Sequence, residues 1–291
     1  MGKETVTRYL RLLRPYQYVK NGFIFLPLFF AQKITHWDLF GKTCLAFVCF
    51  CLVSSSIYVV NDYWDREEDR QHPVKKQRPL AAGTINPSLA LGLAGVLGVL
   101  GLSIAYWLEP NLLIILMGYG GMNLVYTLIL KHVSLIDVFV IALGFVLRLF
   151  AGGVVGQVEV RMWIILMTFL LALFLALAKR REDVILVNAG QQVRKSMNGY
   201  NLEFVTMAMT LMAPVIVVSY IFYTISSEVT QRFHSNYLYL TVIFVLLGIL
   251  RYLQMTLVEN RSGDPTEILL TDRFLQGTIL GWLGTFILLI Y

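Results

Sequence analysis

Apolar residues do not alternate with polar ones along this chain; they run together in long blocks, and nearly all charge is confined to the segments between them. Blocks of this length cross roughly 30 Å of hydrocarbon as α-helices. Their continuity excludes outer-membrane strands, which are about 10 residues long and alternate strictly. The pattern predicts nine spans: Lys20 to Ala31, Thr43 to Val60, Leu89 to Leu108, Leu112 to Leu130, Leu135 to Val155, Met162 to Ala178, Phe204 to Ile225, Tyr237 to Leu257 and Phe274 to Tyr291. The first is the shortest. The expected fold class is all-α integral membrane, nine transmembrane helices in a single domain over residues 1–291. In the third span Gly92, Gly95, Gly98 and Gly101 have the spacing that lets another helix approach closely.

Composition agrees with lipid as the main solvent: 57% of residues are apolar, 14% are charged, and the mean hydropathy is +0.67. The distribution of the 24 Lys and Arg sets an orientation. With the N-terminus cytoplasmic and the C-terminus outside, only Lys33, Lys42, Arg161 and Arg232 fall in outer segments, Arg148 lies deep in a span, and Lys20 and Arg251 lie at or near the inner ends of theirs. The rest lie in inner segments, as basic residues do in multi-pass proteins of the cell membrane. The net charge of +6 therefore describes a basic cytoplasmic face, suited to anionic lipid or phosphorylated substrates and not to nucleic acid. Cys44, Cys49 and Cys51 share the second span with no second cluster to pair with, and read as small apolar packing residues. The basic stretch Thr7 to Arg14, stopped at Pro15, reads as an interfacial helix, with no cleaved leader expected.

Long, charged inner loops follow the second and sixth spans and point to a cavity at the cytoplasmic face. The first reads Asn61-Asp62-Tyr63-Trp64-Asp65-Arg66-Glu67-Glu68-Asp69 where the second span leaves the apolar region. If the helix continues, Asn61, Asp65 and Asp69 follow at i, i+4 and i+8, with Asp62 joining at i+3 and i+7 from the other acids. One face then carries four oxygen ligands. Like charges so close repel unless a cation neutralises them. Mg2+ suits such a set because it takes a few carboxylates together with water and substrate phosphate. Lys75, Lys76 and Arg78 add phosphate-binding cations nearby. The competing reading, a solvated helix end balanced by Arg66 and Arg70, leaves the helical spacing of the acids at the membrane boundary unexplained.

From Asn61 to Asp69 the chain resembles the UbiA prenyltransferase superfamily, whose NDxxDxxxD motif follows the second of nine helices. The resemblance implies a UbiA-like bundle in which Asn61, Asp62, Asp65 and Asp69 hold Mg2+ on a diphosphate leaving group, with Asp62, Asp65 and Asp69 as catalytic residues. The family's second motif, a DxxxD pair after the sixth helix, is not matched: Lys179-Arg180-Arg181-Glu182-Asp183 stands there, with Asn188, Gln191, Gln192, Arg194 and Lys195 following. Those cations, together with Lys20-Asn21, Leu147-Arg148, Ala151-Gly152-Gly153, Arg251-Tyr252 and Thr271-Asp272-Arg273, look like the polyprenyl-phosphate phosphoribosyltransferase branch.

That branch implies 5-phosphoribosyl 1-diphosphate as donor and a polyprenyl (decaprenyl-type) monophosphate as acceptor, with diphosphate released. The donor's 5-phosphate calls for basic side chains, which Lys179, Arg180 and Arg181 could supply, against the bland reading of snorkelling at a helix end. Tyr126, Lys131, Arg251 and Arg273 end up around the inner mouth, where substrate contact and interface anchoring are equally open, and the branch resemblance adds Lys20 as a substrate-binding candidate. Asp137 and Arg148, the ionisable residues of the fifth span, must be paired or face a polar cavity. The alternative activity is an ordinary UbiA reaction joining a prenyl diphosphate to an aromatic or other small acceptor, which an acid supplied from another loop would revive. A transporter without chemistry fits least, since the acids gather at one face. Homo-oligomerisation is left open.

Overall fold

The computed structural model describes residues 2–72, 74–189, 199–261 and 263–290, and among them there is helix and no strand. Eight helices are long and apolar enough to cross a membrane. The chain forms two compact units, one of residues 2–160 with 187–189 and the other of 161–186 with 199–290.

The first unit comprises α1 (Gly2–Leu13), a 3-10 segment (Pro15–Phe25), α2 (Leu26–Phe30), α3 (Trp37–Trp64), α4 (Arg66–Gln71), α5 (Pro87–Leu108), α6 (Pro110–Leu128) and α7 (Ile136–Val155). Helix starts follow local chemistry. The Asn86 side chain accepts from Ser88 N at 2.9 Å ahead of Pro87, and Glu109 alone separates α5 from α6, with Pro110 next. A single extended residue between two helices makes a tight antiparallel hairpin.

α3 is the centre of this unit, packed by α5, α6, α7 and the 3-10 segment. The predicted glycine stripe is half used. A Cβ on Gly98 would sit 3.1 Å from Ser56 Oγ and one on Gly101 3.0 Å from Val53 Cγ2, both on α3, whereas Gly92 and Gly95 face open space.

The first predicted span differs most from expectation. It starts five residues earlier, at Pro15, and is wound mainly as 3-10 helix before the single turn of α2. At about 2.0 Å per residue in 3-10 and 1.5 Å in α geometry, these 16 residues extend roughly 30 Å. The segment runs antiparallel to α3: Tyr18 bonds Ser55 at 2.7 Å, Asn21 donates to Cys51 Sγ at 3.3 Å, and the Phe25 ring lies 5.8 Å from that of Phe47. Buried Gln17 and Asn21 interrupt its apolarity, which is why hydropathy shortened it. On the other side it presses on α7, where an added Cβ on Gly152 would stand 1.9 Å from the Ile24 carbonyl oxygen.

Arg148 of α7 secures the same junction. It is buried and donates to Asn21 Oδ1 at 2.8 Å, Gly144 O at 2.7 Å and Tyr119 OH at 3.0 Å, with the rings of Phe50, Tyr119 and Phe145 around its guanidinium. Each guanidinium nitrogen has an acceptor, the condition for keeping this charge inside an apolar bundle.

The second unit comprises α8 (Met162–Asn188, to Leu186), α9 (Leu202–Ile225), α10 (Ser227–Phe233), α11 (Val242–Leu257, preceded by a 3-10 turn), α12 (Pro265–Thr271) and α13 (Arg273–Ile290). Trp282 Nε1 donates to Tyr220 OH, which also bonds Thr241, each at 2.7 Å, tying α13, α9 and the start of α11.

Gly152→Ala should cost about 3 kcal/mol, the upper end for overpacking, because a backbone oxygen cannot move aside as a side chain can. Gly92→Ala should stay within about 0.5 kcal/mol of the parent. Thermal unfolding in detergent compares the two, and equal melting temperatures would contradict the close approach at Ile24.

Candidate active site

The α3 helix carries its apolar run to Val60 and meets Asp62 two residues later. Regular helix stops at Trp64, yet Asp65 N donates to Asn61 O at 2.9 Å and Asp69 N to Asp65 O at 2.8 Å, so i, i+4 spacing survives the join into α4. Asp62, Asp65 and Asp69 are each at most 5% exposed. Buried carboxylates demand partners, and the partners divide the acids into two sets.

Asn61 and Asp65, one turn apart, meet α6 and the turn after it: Thr127 donates to Asn61 Oδ1 at 3.1 Å and Lys131 pairs with Asp65. Asp62 and Asp69, two turns apart, share Arg78, at 3.1 and 2.7 Å, and Asp62 also pairs with Arg14. The single ligand face expected from spacing is thus two adjoining faces, because basic groups from different elements approach from two sides.

Arg14 was not singled out by its sequence position. It closes α1 in the left-handed region (φ 55°, ψ 56°), with its N–H on Leu10 O at 3.1 Å and its guanidinium 5.3 Å above the Tyr58 ring. A non-glycine residue at positive φ just before a proline is the local sign that its side chain is held by something specific. His72 also serves the fold here, its Nδ1 accepting from the N–H groups of Val74 and Lys75 at 3.2 and 3.3 Å.

Burial holds the Asp69 carboxyl above its usual range, against the opposing pull of Arg78 and Lys75, and the Asp62 charge pushes the same way. Asp62 Oδ2 is buried with no hydrogen-bond partner among the described residues. The donor set is all hard oxygen, and one carboxylate oxygen is left over. No three acidic, His or Cys side chains converge to enclose an ion among the described residues. These features fit a hard divalent cation held by one or two carboxylates and completed by a bound phosphate.

Lys20 and Tyr126 are half-buried on the 3-10 segment and α6.

In the second unit the three cations after the sixth predicted span behave differently from one another. Arg180 pairs with Asp183. Arg181 donates to Thr256 O at 2.6 Å, Asn260 Oδ1 at 3.4 Å and Thr206 Oγ at 3.3 Å, so it satisfies a carbonyl in the last turn of α11. Lys179 makes no hydrogen bond or ion pair among the described residues. Arg251 is taken up by Asp272 at 2.7 Å, Glu259 at 2.8 Å and Gln254 at 2.8 Å. Asp272 in turn accepts from Leu275 N at 2.8 Å at the start of α13, and the Arg251 bonds hold its carboxyl below the ordinary range.

Asp264 and Glu267 of α12 come within electrostatic reach of Glu182. Asp264-Pro265-Thr266-Glu267 is legible as a helix start, with Asp264 accepting from Thr266 N at 3.0 Å, but its approach to Glu182 is a tertiary fact. Pro73, Gln191, Gln192, Arg194 and Lys195 lie outside the described residues.

A multi-pass helical bundle with a buried, oxygen-rich acidic site at the end of one span is the class that the fold and site define. Residues 22–276 match the UbiA prenyltransferase family, and the chain belongs to that family of transferases. It is 34% identical, over 97% of its own length and 92% of the relative's, to a decaprenyl-phosphate phosphoribosyltransferase of Mycolicibacterium smegmatis. A Corynebacterium glutamicum protein of the same name is 30% identical over 97% and 86%. The fold is similar to a UbiA homologue from Archaeoglobus fulgidus bound to GPP and Mg2+, with a TM-score of 0.72, 20% identity and coverage of 97% and 99%.

Arg78→Gln leaves two buried carboxylates short of a cation and should cost on the order of 3 kcal/mol. Adding Asp69→Asn should recover about 1 kcal/mol or more, read as non-additivity in a double-mutant unfolding cycle. Strictly additive costs would show that the pair is not coupled.

Proposed function

We propose that the protein transfers a 5-phosphoribosyl group from 5-phosphoribosyl 1-diphosphate to a polyprenyl monophosphate, of decaprenyl type, with release of diphosphate and dependence on Mg2+. The observation that carries this reading is similarity at 30–34% identity along nearly the whole chain to relatives of that name. The cations on α8, where the family carries paired acids, point the same way.

In this reading Asp62 and Asp69 hold Mg2+, with Asn61 and Asp65 completing the set from the adjoining face. The metal would neutralise charge on the departing diphosphate. Arg14, Arg78 and Lys131 hold the carboxylates in place, and present cationic groups to an arriving diphosphate. Lys179 is the uncommitted cation for the 5-phosphate, with Arg180 and Arg181 beside it in sequence; Lys20, Tyr126 and Arg251 are further substrate-contact candidates. The acceptor phosphate is already an anionic nucleophile and needs no strong general base.

The 16-residue 3-10 and α2 segment serves as a ninth crossing, placing the N-terminus and the acidic site on the cytoplasmic side of the cell membrane, as the basic inner segments favour. The family match runs through both units and supports one functional domain. One observation favours the second reading, prenyl transfer to a small acceptor: acids of α12 join Glu182 where paired acids were missing.

Purified protein with Mg2+ should release diphosphate from phosphoribosyl diphosphate plus polyprenyl phosphate. Release only from prenyl diphosphate plus aromatic acids would overturn the choice of donor. Asp62→Asn should lower turnover by roughly 100-fold or more while the protein still folds; undiminished turnover would sink the metal assignment.

A further inference from the structure

Glu182 stands in an unusual place for a half-buried acid. It makes no hydrogen bond or ion pair among the described residues, and the charges of Asp183, Asp264 and Glu267 act on it against that of Lys179. Gly263 lies beside it, where an added Cβ would meet the Glu182 carboxylate at 3.5 Å.

A second observation comes from α11. Tyr252 is only 4% exposed, its ring is fixed edge-on against Phe174 at 5.6 Å, and its hydroxyl has no hydrogen-bond partner among the described residues although the charges of Asp264 and Glu182 reach it. One turn on, the fully buried Thr256 hydroxyl is also without a partner among the described residues. Two buried unsatisfied hydroxyls on one helix face are costly unless a ligand hydrogen-bonds them. All these residues belong to the second unit.

Charge sorts the ligands. An anion would be repelled by Glu182, Asp264 and Glu267, Asp183 being paired with Arg180. A bare divalent cation would give the tyrosine and threonine O–H groups no acceptor. A neutral group rich in hydroxyls suits both halves of the wall, since carboxylates accept its O–H donors while the tyrosine and threonine hydroxyls donate to its oxygens.

We propose that Glu182, Asp264 and Tyr252 form a subsite for the vicinal hydroxyls of a pentose. Resting on the reading above, that pentose is the ribose of the donor, and the subsite selects ribose over 2-deoxyribose.

The test is binding without turnover: ribose 5-phosphate and 2-deoxyribose 5-phosphate are titrated into the purified full chain, its Glu182→Gln variant and its Tyr252→Phe variant. The parent should favour the ribosyl sugar by about 10-fold or more, the scale of a hydrogen bond to a charged group. In both variants the ratio should fall toward one while affinity for the deoxy sugar is kept, which also certifies folding. A parent ratio of one, or a ratio untouched by both substitutions, overturns the subsite. Loss of Mg2+ binding in Glu182→Gln without sugar discrimination would make it a cation site and overturn it equally. Because no acceptor is present, sugar selectivity with no phosphoribosyl transfer would keep the subsite and sink the donor assignment, and transfer without selectivity would do the reverse.

Discussion

Three aspartates buried at the end of a membrane span can coexist only if cations reach them, and the architecture of the first unit follows from that constraint. Arg14 arrives from the end of α1, Arg78 from the loop after α4, and Lys131 from the turn after α6. Each ion pair therefore fastens a different element to the end of α3. Under the proposed function these carboxylates would exchange a protein cation for a metal ion and a diphosphate. The leftover lone pairs of Asp62 Oδ2 mark where that exchange would begin.

The same rule, that charge inside a membrane bundle must be met by polar groups, governs the deeper part of the unit. Arg148 is met by an amide, a carbonyl and a phenol instead of an acid, and through Asn21 it holds the 3-10 segment against α7. Gly152 makes that contact sterically feasible by leaving the Ile24 carbonyl room. Arg148, weighed in the sequence between a substrate role and a structural bond, is fully accounted for by these contacts. Arg181 and Arg251 likewise spend their donors on a helix end and on Asp272, which leaves Lys179 as the cation of its group with no hydrogen bond or ion pair among the described residues.

Much of this is legible in the sequence. Eight apolar helices and the acids at i, i+4 and i+8 follow from composition and period, because lipid enforces continuous apolarity and helical spacing is geometric. The 3-10 winding was hidden, since Gln17 and Asn21 are buried polar residues that hydropathy counts as exposed. The partner of Arg14 and the approach of Asp264 to Glu182 were hidden for another reason: they join positions 48 and 82 residues apart, which no local pattern encodes. The Gly92 to Gly101 stripe shows the converse limit, spacing that permits close packing at four positions and a neighbouring helix that uses two.

The account stands most directly on what the aspartates bind. Calorimetric titration of phosphoribosyl diphosphate into the purified protein, with no acceptor present, should show saturable binding with Mg2+. That binding should disappear in EDTA and in an Asp62→Asn, Asp69→Asn variant that still melts cooperatively. Binding equally tight in EDTA, or untouched by the two substitutions, would contradict a metal-held diphosphate at the end of α3.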